Sequence, residues 1–464
     1  MEGSMGYMSR EDRVERRFDI ERVLPGARTI IVTSLFYWPG RRAVEEVNRI
    51  NSGIKLDGKS GNIGDEGSDG RGSRGAFASY AWGKDYHLIL PQKLRELAEW
   101  LHNDLPPSPS AISPSSSSLP STSSIGGQAR WYVDTGAVLE RSFGDRSGLG
   151  FIGKNAMLIS PRFGSGFVMG EIISTLPLLI DDPIDNAKAF NPNDSPPPPN
   201  TYSNPGDQTP SPSPPSRSSS SSSPQSPPTK YHFRPEDSHS TLELKDPERD
   251  PEKRRVTTKS RAGCGKCTKC RIACPTGAIV DDRVVDSRKC ISYLTIEHRG
   301  SIPTDLRGKM GNKIFGCDIC QVVCPWNKFD WDPSQVADSH KKEHDTSING
   351  KPVTNSFYSP LFGFVSKDYA ATPLGEILIM SEEEFERRFR ETPVMRIGLK
   401  RLHRNALVAL GNSRNSSNVK VIDEFLAGMK DKEREGKSVD TPEALLFEHA
   451  AWALEELKKT TSIS

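Results

Sequence analysis

All eight cysteines of this 464-residue chain fall between positions 264 and 324, and that restricts the fold more than any other feature. Cys264-x2-Cys267-x2-Cys270-x3-Cys274, followed by Pro275, has the spacing of a bacterial-type ferredoxin run. In such a run three thiolates wrap one cubane and the fourth reaches a neighbouring cluster. The block recurs as Cys290, then Cys317-x2-Cys320-x3-Cys324-Pro325, with its first cysteine displaced upstream. Crosswise ligation assigns Cys264, Cys267, Cys270 and Cys324 to one 4Fe-4S cluster, and Cys274, Cys290, Cys317 and Cys320 to the other. A pair of zinc sites is the competing assignment, but it leaves no role for the third closely spaced cysteine or for the prolines. Two clusters imply electron transfer, and a bare ferredoxin needs only a fraction of this length, so the remaining domains must use the electrons.

Charge gives no overall bias: 62 basic and 60 acidic residues leave a net +2, so a nucleic-acid partner has to be argued from local patches. No run of about 18 apolar residues could span a bilayer, and no apolar segment follows Met1 to direct secretion. The arginines of residues 8–22 alternate with Glu11, Asp12, Glu15, Asp19 and Glu21, which does not suit an acid-poor transit peptide. A soluble cytoplasmic protein is expected, and in a reducing compartment clustered cysteines read as metal ligands.

Residues 27–35 are rich in β-branched side chains between Pro-Gly pairs and predict a buried strand followed by a helix. Leu88, Leu90, Leu94, Leu97 and Leu101 mark the apolar face of a predicted helix over 86–101. Glycine-, serine- and proline-rich stretches at 51–75, 105–127 and 191–255 cannot build a core and read as disordered insertions. The expected organisation is an α/β domain over 1–190, a linker over 191–255, the cluster module over 256–330, a second linker over 331–373 and helical repeats over 374–464. Within the last part, 382–390, 401–410, 419–429 and 444–458 each suit an amphipathic helix, spaced like stacked HEAT-type pairs.

Longer motifs allow a family to be suggested. Val133-Asp-Thr-Gly-Ala-Val-Leu-Glu-Arg141, Gly148-Leu-Gly-Phe-Ile-Gly-Lys-Asn155, Gly164-Ser165 with Gly170-Glu171, Cys290-Ile-Ser-Tyr-Leu-Thr-Ile-Glu297 and Gly316-Cys-Asp-Ile-Cys-Gln-Val-Val-Cys-Pro-Trp-Asn327 closely resemble the epoxyqueuosine reductases. Arg404-Asn-Ala-Leu-Val-Ala-Leu-Gly-Asn412 and His449-Ala-Ala-Trp-Ala-Leu454 look like that family's C-terminal HEAT-like repeats. The resemblance implies a cobalamin-binding α/β domain related to reductive dehalogenases, joined to a bacterial-type two-cluster ferredoxin module and α-helical HEAT-like repeats. It also implies reduction of epoxyqueuosine to queuosine at the wobble position of a tRNA with a GUN-type anticodon, fed by a flavodoxin- or ferredoxin-type donor. A monomer with no membrane partner is expected.

By the same resemblance Asp134 is the proton donor, and no side chain can supply the reducing carbon-directed chemistry, so a cofactor is required. As a bare sequence feature, Asp134-Thr135-Gly136 equally suits a turn after a strand. His87, Asp134, Lys154, Asn155, Leu158, Met169, Ile172 and Ser292 are the expected cobalamin contacts, with Met169 and Ile172 covering a corrin face. The expected RNA contacts are His298, Arg299, Arg396, Lys400, Arg401 and Arg404, from a basic run that read alone is a solvated helical face. The chain departs from the family pattern at Ala137, where proline is usual, and at Gly166, where an aromatic residue is usual, and it begins close to the strand at Thr29. Two alternatives stay open: a cobalamin-dependent reductase of a small molecule, and a non-catalytic two-cluster electron carrier.

Overall fold

The computed structural model describes residues 5–52, 73–103, 128–178, 263–328, 370–434 and 442–461, and the backbone of four short strands within 347–366. The stretches expected as insertions or linkers, 51–75, 105–127, 191–255 and 331–373, fall largely outside the described residues. The N-terminal part contains helices α1 (Glu11–Phe18), α2 (Arg41–Ser52), α3 (Tyr86–Asn103) and α4 (Glu140–Arg146). Its strands are β1 (Thr29–Phe36), β2 (Arg74–Phe77), β3 (Ala129–Tyr132), β4 (Phe151–Ile152), β5 (Leu158–Ile159) and β6 (Phe167–Ser174).

The central sheet has the order β1-β6-β3 and is antiparallel throughout, with Val32 and Tyr132 flanking Glu171 on the middle strand. Helices cover both faces of β6, which explains its nearly unbroken apolar run. On one face Leu90 and Leu94 of α3 press on Gly170, where an added Cβ would lie 2.6 Å from Leu94. On the other face Ile173 packs with Val23, Leu24, Val138 and Phe143 of α4. The buried stripe of α3 is Tyr86, Leu90, Leu94, Ala98 and Leu101, and Leu88, expected on that stripe, is 43% exposed on the outer face.

A second sheet joins the three modules. β2 is its middle strand, flanked in parallel by Lys313–Phe315 of the cluster module and antiparallel by Ala371–Pro373 at the entry to the C-terminal helices. Those helices are Leu374–Ile379, Glu382–Phe389, Gly398–Gly411, Asn418–Arg434 and Pro442–Thr461, so each expected helical segment is present. They grip the cluster module through polar side chains. Asn405 donates to the carbonyls of Thr295 and Ile314 at 2.8 Å each, Asn412 donates to Arg307 and Gly311, and the Arg307 guanidinium lies over the Trp452 ring and pairs with Glu448. No helix among the described residues is long and apolar enough to cross a membrane.

Candidate active site

The eight thiols fall into two groups in space. Cys264, Cys267, Cys270 and Cys324 line one cavity together with Asn155, Ile159 and Trp326. Burial pushes the Cys324 thiol up to about 11, and its charge neighbours are Cys264, Cys270 and Cys267. Cys320 is raised well above the usual thiol value by burial and then by Cys317 and Cys290, and Cys290 in turn feels Cys274. Burial pushes Cys317 to about 12. Each buried thiol therefore gives up a proton when it binds iron. Among the described residues no group of three or more His, Cys, Asp or Glu side chains is placed to hold a single metal ion.

Backbone and side chains of the N-terminal domain reach into both groups. The Lys154 amide donates to Cys264 Sγ at 3.4 Å, and the Lys154 ammonium pairs with Asp282. Within the module, the Ala278 amide donates to Cys274 Sγ at 3.3 Å. The Gly164-Ser165 motif earns its place here: Ser165 N donates to Asn327 Oδ1, Asn327 Nδ2 donates to Ser165 Oγ, and Ser165 Oγ donates to Gln321 Oε1. Gly164 has φ +72°, and a Cβ there would fall 1.9 Å from Asn327 Oδ1. This buried network fastens the glycine turn to the second cysteine block.

Between the second thiol group and the turn after β3 runs a wall of aromatic rings. Tyr37 and Tyr80 have centroids 6.3 Å apart, Tyr80 and Tyr86 another 6.3 Å, and Tyr86 stacks on His87 at 4.2 Å. Tyr37 is raised by burial and then by Asp318, and its hydroxyl lies 3.5 Å from Gln321 Oε1 on the cluster side. Burial raises Tyr80 too, and Arg396 acts on it from the C-terminal helices. Tyr37 and Tyr80 escaped sequence reasoning, since no spacing links positions 37 and 80 to each other or to Tyr86. At the far end, the Tyr86 hydroxyl donates to Asp134, which is exposed on the turn with φ +55°. Glu140 of α4 meets both the backbone amide and the side chain of Asp134, and burial followed by the Asp134 charge lifts Glu140 to about 8.

Several expected contacts need revision. Met169 and Ile172 are an odd number of residues apart on one strand, so they point to opposite faces; Met169 lies toward α4, near the position a Cβ on Gly144 would take, while Ile172 is 0% exposed in the core. Leu158 is also enclosed, against Gly144. His87 is held by Asp85 at 2.9 Å, and the Ser292 amide points to Cys290. Asn155 is buried beside Cys320, with its side-chain amide turned to that thiol. Of the expected RNA contacts, Arg404 is 0% exposed and donates to the carbonyls of Leu294, His298 and Gly300, so it is a structural tie and not a phosphate ligand. Arg401 is partly buried and spends its donors on the carbonyls of Ile296, Arg396 and Ile397, yet with Arg299, Lys400, Leu445 and Leu446 it lines a surface recess. Arg299, Arg396 and Lys400 are exposed, Arg396 pairing with Glu297, and His298 contacts the Ser301 carbonyl.

The departure at Gly166 has a local counterpart: a Cβ there would lie 2.3 Å from the Cβ of Trp38, which is 2% exposed. Trp38 fills the space, and its amide donates to the Gly166 carbonyl. Ala137 is buried.

Comparison with known proteins agrees with this geometry. The family described as 4Fe-4S double cluster binding domain matches residues 263–327, and the family described as epoxyqueuosine reductase QueG, DUF1730, matches residues 17–135. The epoxyqueuosine reductase of Xanthomonas campestris pv. campestris is 30% identical over 377 residues, covering 81% of this chain and 69% of that one. The Synechocystis sp. enzyme of the same name is 30% identical over 325 residues, covering 70% and 71%. Among solved structures, epoxyqueuosine reductase from Streptococcus thermophilus superposes with a TM-score of 0.55 at 20% identity, covering 98% of this chain and 82% of that one. An epoxyqueuosine reductase bound to an epoxyqueuosine-modified tRNA-Tyr stem loop gives 0.51 at 21% identity, covering 96% and 86%. These relatives, together with the paired thiol sets and the motifs that join them to the Asp134 turn, show that the chain belongs to the epoxyqueuosine reductase family.

Proposed function

We propose that this protein reduces epoxyqueuosine to queuosine in tRNA, with Cys264, Cys267, Cys270 and Cys324 holding one 4Fe-4S cluster and Cys274, Cys290, Cys317 and Cys320 the other. The observation that carries this reading is the row of tyrosine rings that runs from the Cys320 side of the module to Tyr86, whose hydroxyl meets Asp134. Cobalamin fits beside this row by its chemistry, because Glu140 Oε1, next to Asp134, is buried without a hydrogen-bond partner, as a group meeting the amide rim of a corrin would be. Asp134, Lys154, Asn155 and the rings of Tyr37 and Tyr80 would hold it. When bound, it supplies the low-valent metal centre that delivers electrons to carbon, which no side chain can do.

The protein's own residues supply the rest. Asp134, oriented by the Tyr86 hydroxyl, is placed to protonate the departing epoxide oxygen. The tyrosine wall orients a flat base and keeps water from the reacting carbons. The C-terminal helices read as HEAT-like repeats, and the recess of Arg299, Lys400 and Arg401 with Arg396 nearby can neutralise phosphates while the wobble nucleotide is splayed toward Asp134. A small-molecule reductase would have no use for that surface.

The test is anaerobic reconstitution with cobalamin and epoxyqueuosine-containing tRNA. About eight irons and eight sulfides per chain are expected, and Asp134→Asn should keep clusters and cobalamin while losing about 100-fold or more in single-turnover reduction. Stoichiometric zinc with little iron, or a wild-type rate in the variant, would sink the assignment.

A further inference from the structure

The two thiol groups differ in how the chain around them meets solvent. Beside Cys317 and Cys320 the residues Gly316, Asp318 and Gln321 are buried, and Gln321 joins this group to the tyrosine row through the Tyr37 hydroxyl. Around Cys264, Cys267 and Cys270 the intervening Gly265, Lys266, Thr268 and Lys269 are all exposed. Electron tunnelling falls off steeply with distance, so a carrier protein has to approach this shallower group.

The surface beside the shallower group combines apolar and basic side chains. Helix α5 (Lys269–Ala273) carries Ile272, which is 80% exposed, and the hairpin of β7 (Ile279–Asp281) and β8 (Val284–Val285) exposes Val280 and Val284. Arg271 holds the two pieces together: its guanidinium donates to the Val280 carbonyl at 3.3 Å and pairs with Asp281 and Asp282 at 3.7 and 3.5 Å. Lys154 ties the hairpin to the first cysteine run, since its ammonium pairs with Asp282, its carbonyl accepts from the Arg283 amide, and its own amide donates to Cys264 Sγ. Both acids of the hairpin are thus paired. Lys266, Lys269 and Arg283 are exposed and, among the described residues, have no ion-pair partner. From Cys264 to Cys290 six basic residues stand against three acidic ones, in a chain that is balanced as a whole.

A basic face suits either RNA or an acidic protein, and the apolar residues decide between them. Ile272, Val280 and Val284 offer nothing to phosphates, whereas protein interfaces combine an apolar core with a charged rim. The recess assigned to RNA shares no residue with this face. Building on the two-cluster assignment above, we propose that Ile272, Val280 and Val284 with Lys266, Lys269 and Arg283 form the docking face for the electron donor, an acidic, low-potential one-electron carrier protein. At each docking the reduced carrier is oxidised by one electron, which passes to the cluster held by Cys264, Cys267, Cys270 and Cys324 with no proton moved. Two dockings match the two electrons that removal of an epoxide oxygen as water takes.

The test mixes the full chain, loaded with both clusters, with reduced plant-type 2Fe-2S ferredoxin as the acidic carrier, and follows cluster bleaching by anaerobic stopped flow without tRNA or cobalamin. Wild-type reduction should be fast at low salt and slow as salt rises. Ile272→Ser, and Lys266→Gln combined with Lys269→Gln, should each keep their iron and slow this reduction about tenfold, the lysine variant also flattening the salt dependence. Methyl viologen radical, too small to need a docking face, should reduce all three proteins at the wild-type rate, and tRNA affinity should not change. A wild type that the ferredoxin does not reduce, or reduces at a rate indifferent to salt, would overturn the face. So would equal slowing with viologen, weaker tRNA binding in the lysine variant, or a dimer of this chain that Ile272→Ser dissolves. The readout contains no epoxyqueuosine, so losing the tRNA substrate would leave the docking face standing, whereas zinc in place of iron would remove the clusters and the functional reading together.

Discussion

Replacing Glu171 by Gln should make the folded chain more stable at neutral pH, and by an amount that depends on pH. In the folded protein this carboxyl titrates near 9, against the ordinary 4.5. Its folded-state value is raised, so its contribution to stability is fully present below about pH 4.5 and is lost as pH rises toward 9. Between those limits the folded state holds a proton that the unfolded chain has released, and stability falls by about 1.4 kcal/mol per pH unit. Over the two and a half units from 4.5 to 7 that amounts to about 3 kcal/mol. Glutamine keeps the shape and does not titrate. Urea denaturation of the two proteins should therefore differ by less than about 1 kcal/mol near pH 5 and by about 3 kcal/mol near pH 7, with the variant ahead. Glu140 titrates alongside and shares the effect, so the gap should narrow in a Glu140→Gln background. Curves that run parallel from pH 5 to 8 would show that Glu171 is not a buried neutral acid.

Arg404→Met should loosen the C-terminal junction, since the buried Leu294 carbonyl loses its donor at about 1–3 kcal/mol and the partly buried His298 and Gly300 carbonyls lose theirs for less; the check is a fall in melting temperature, with tRNA affinity per folded molecule unchanged. Removing the charges of Arg299 and Lys400 together should leave melting unchanged, weaken tRNA binding and lower the slope of log affinity against log salt by about 2. Gly166→Ala places a methyl against the Trp38 Cβ and should cost about 1–3 kcal/mol, read from the urea midpoint.

What could be read from the sequence was what spacing encodes. The cysteine sets needed only their intervals, because thiolates two and three residues apart on a short turn reach one cubane, and the structure groups them accordingly. Helices with regular apolar periodicity were equally legible. The basic run 396–404 was not, because a guanidinium that caps buried carbonyls and one that meets solvent look identical in sequence; Arg404 and Lys400 differ only in which side of their helix the cluster module covers. Met169 and Ile172 were paired without their strand being recognised, although the two-residue period of a strand separates them. Glu171 carried a usable signal, a single carboxylate inside an apolar strand, whereas Tyr37, Tyr80 and Tyr86 are brought together only by tertiary packing.

The sheet that gathers β2, Lys313–Phe315 and Ala371–Pro373 also sets an order of events during synthesis. Ala76 pairs with Lys313 and with Ala371, partners more than 200 residues downstream, so β2 emerges from the ribosome long before either neighbour exists. At about 5–20 residues per second that interval lasts tens of seconds. Throughout it both edges of β2 are open to solvent. By the time Ala371–Pro373 arrives, all eight cysteines have been made, so the sheet that joins the three parts closes only around a cysteine block that is already complete.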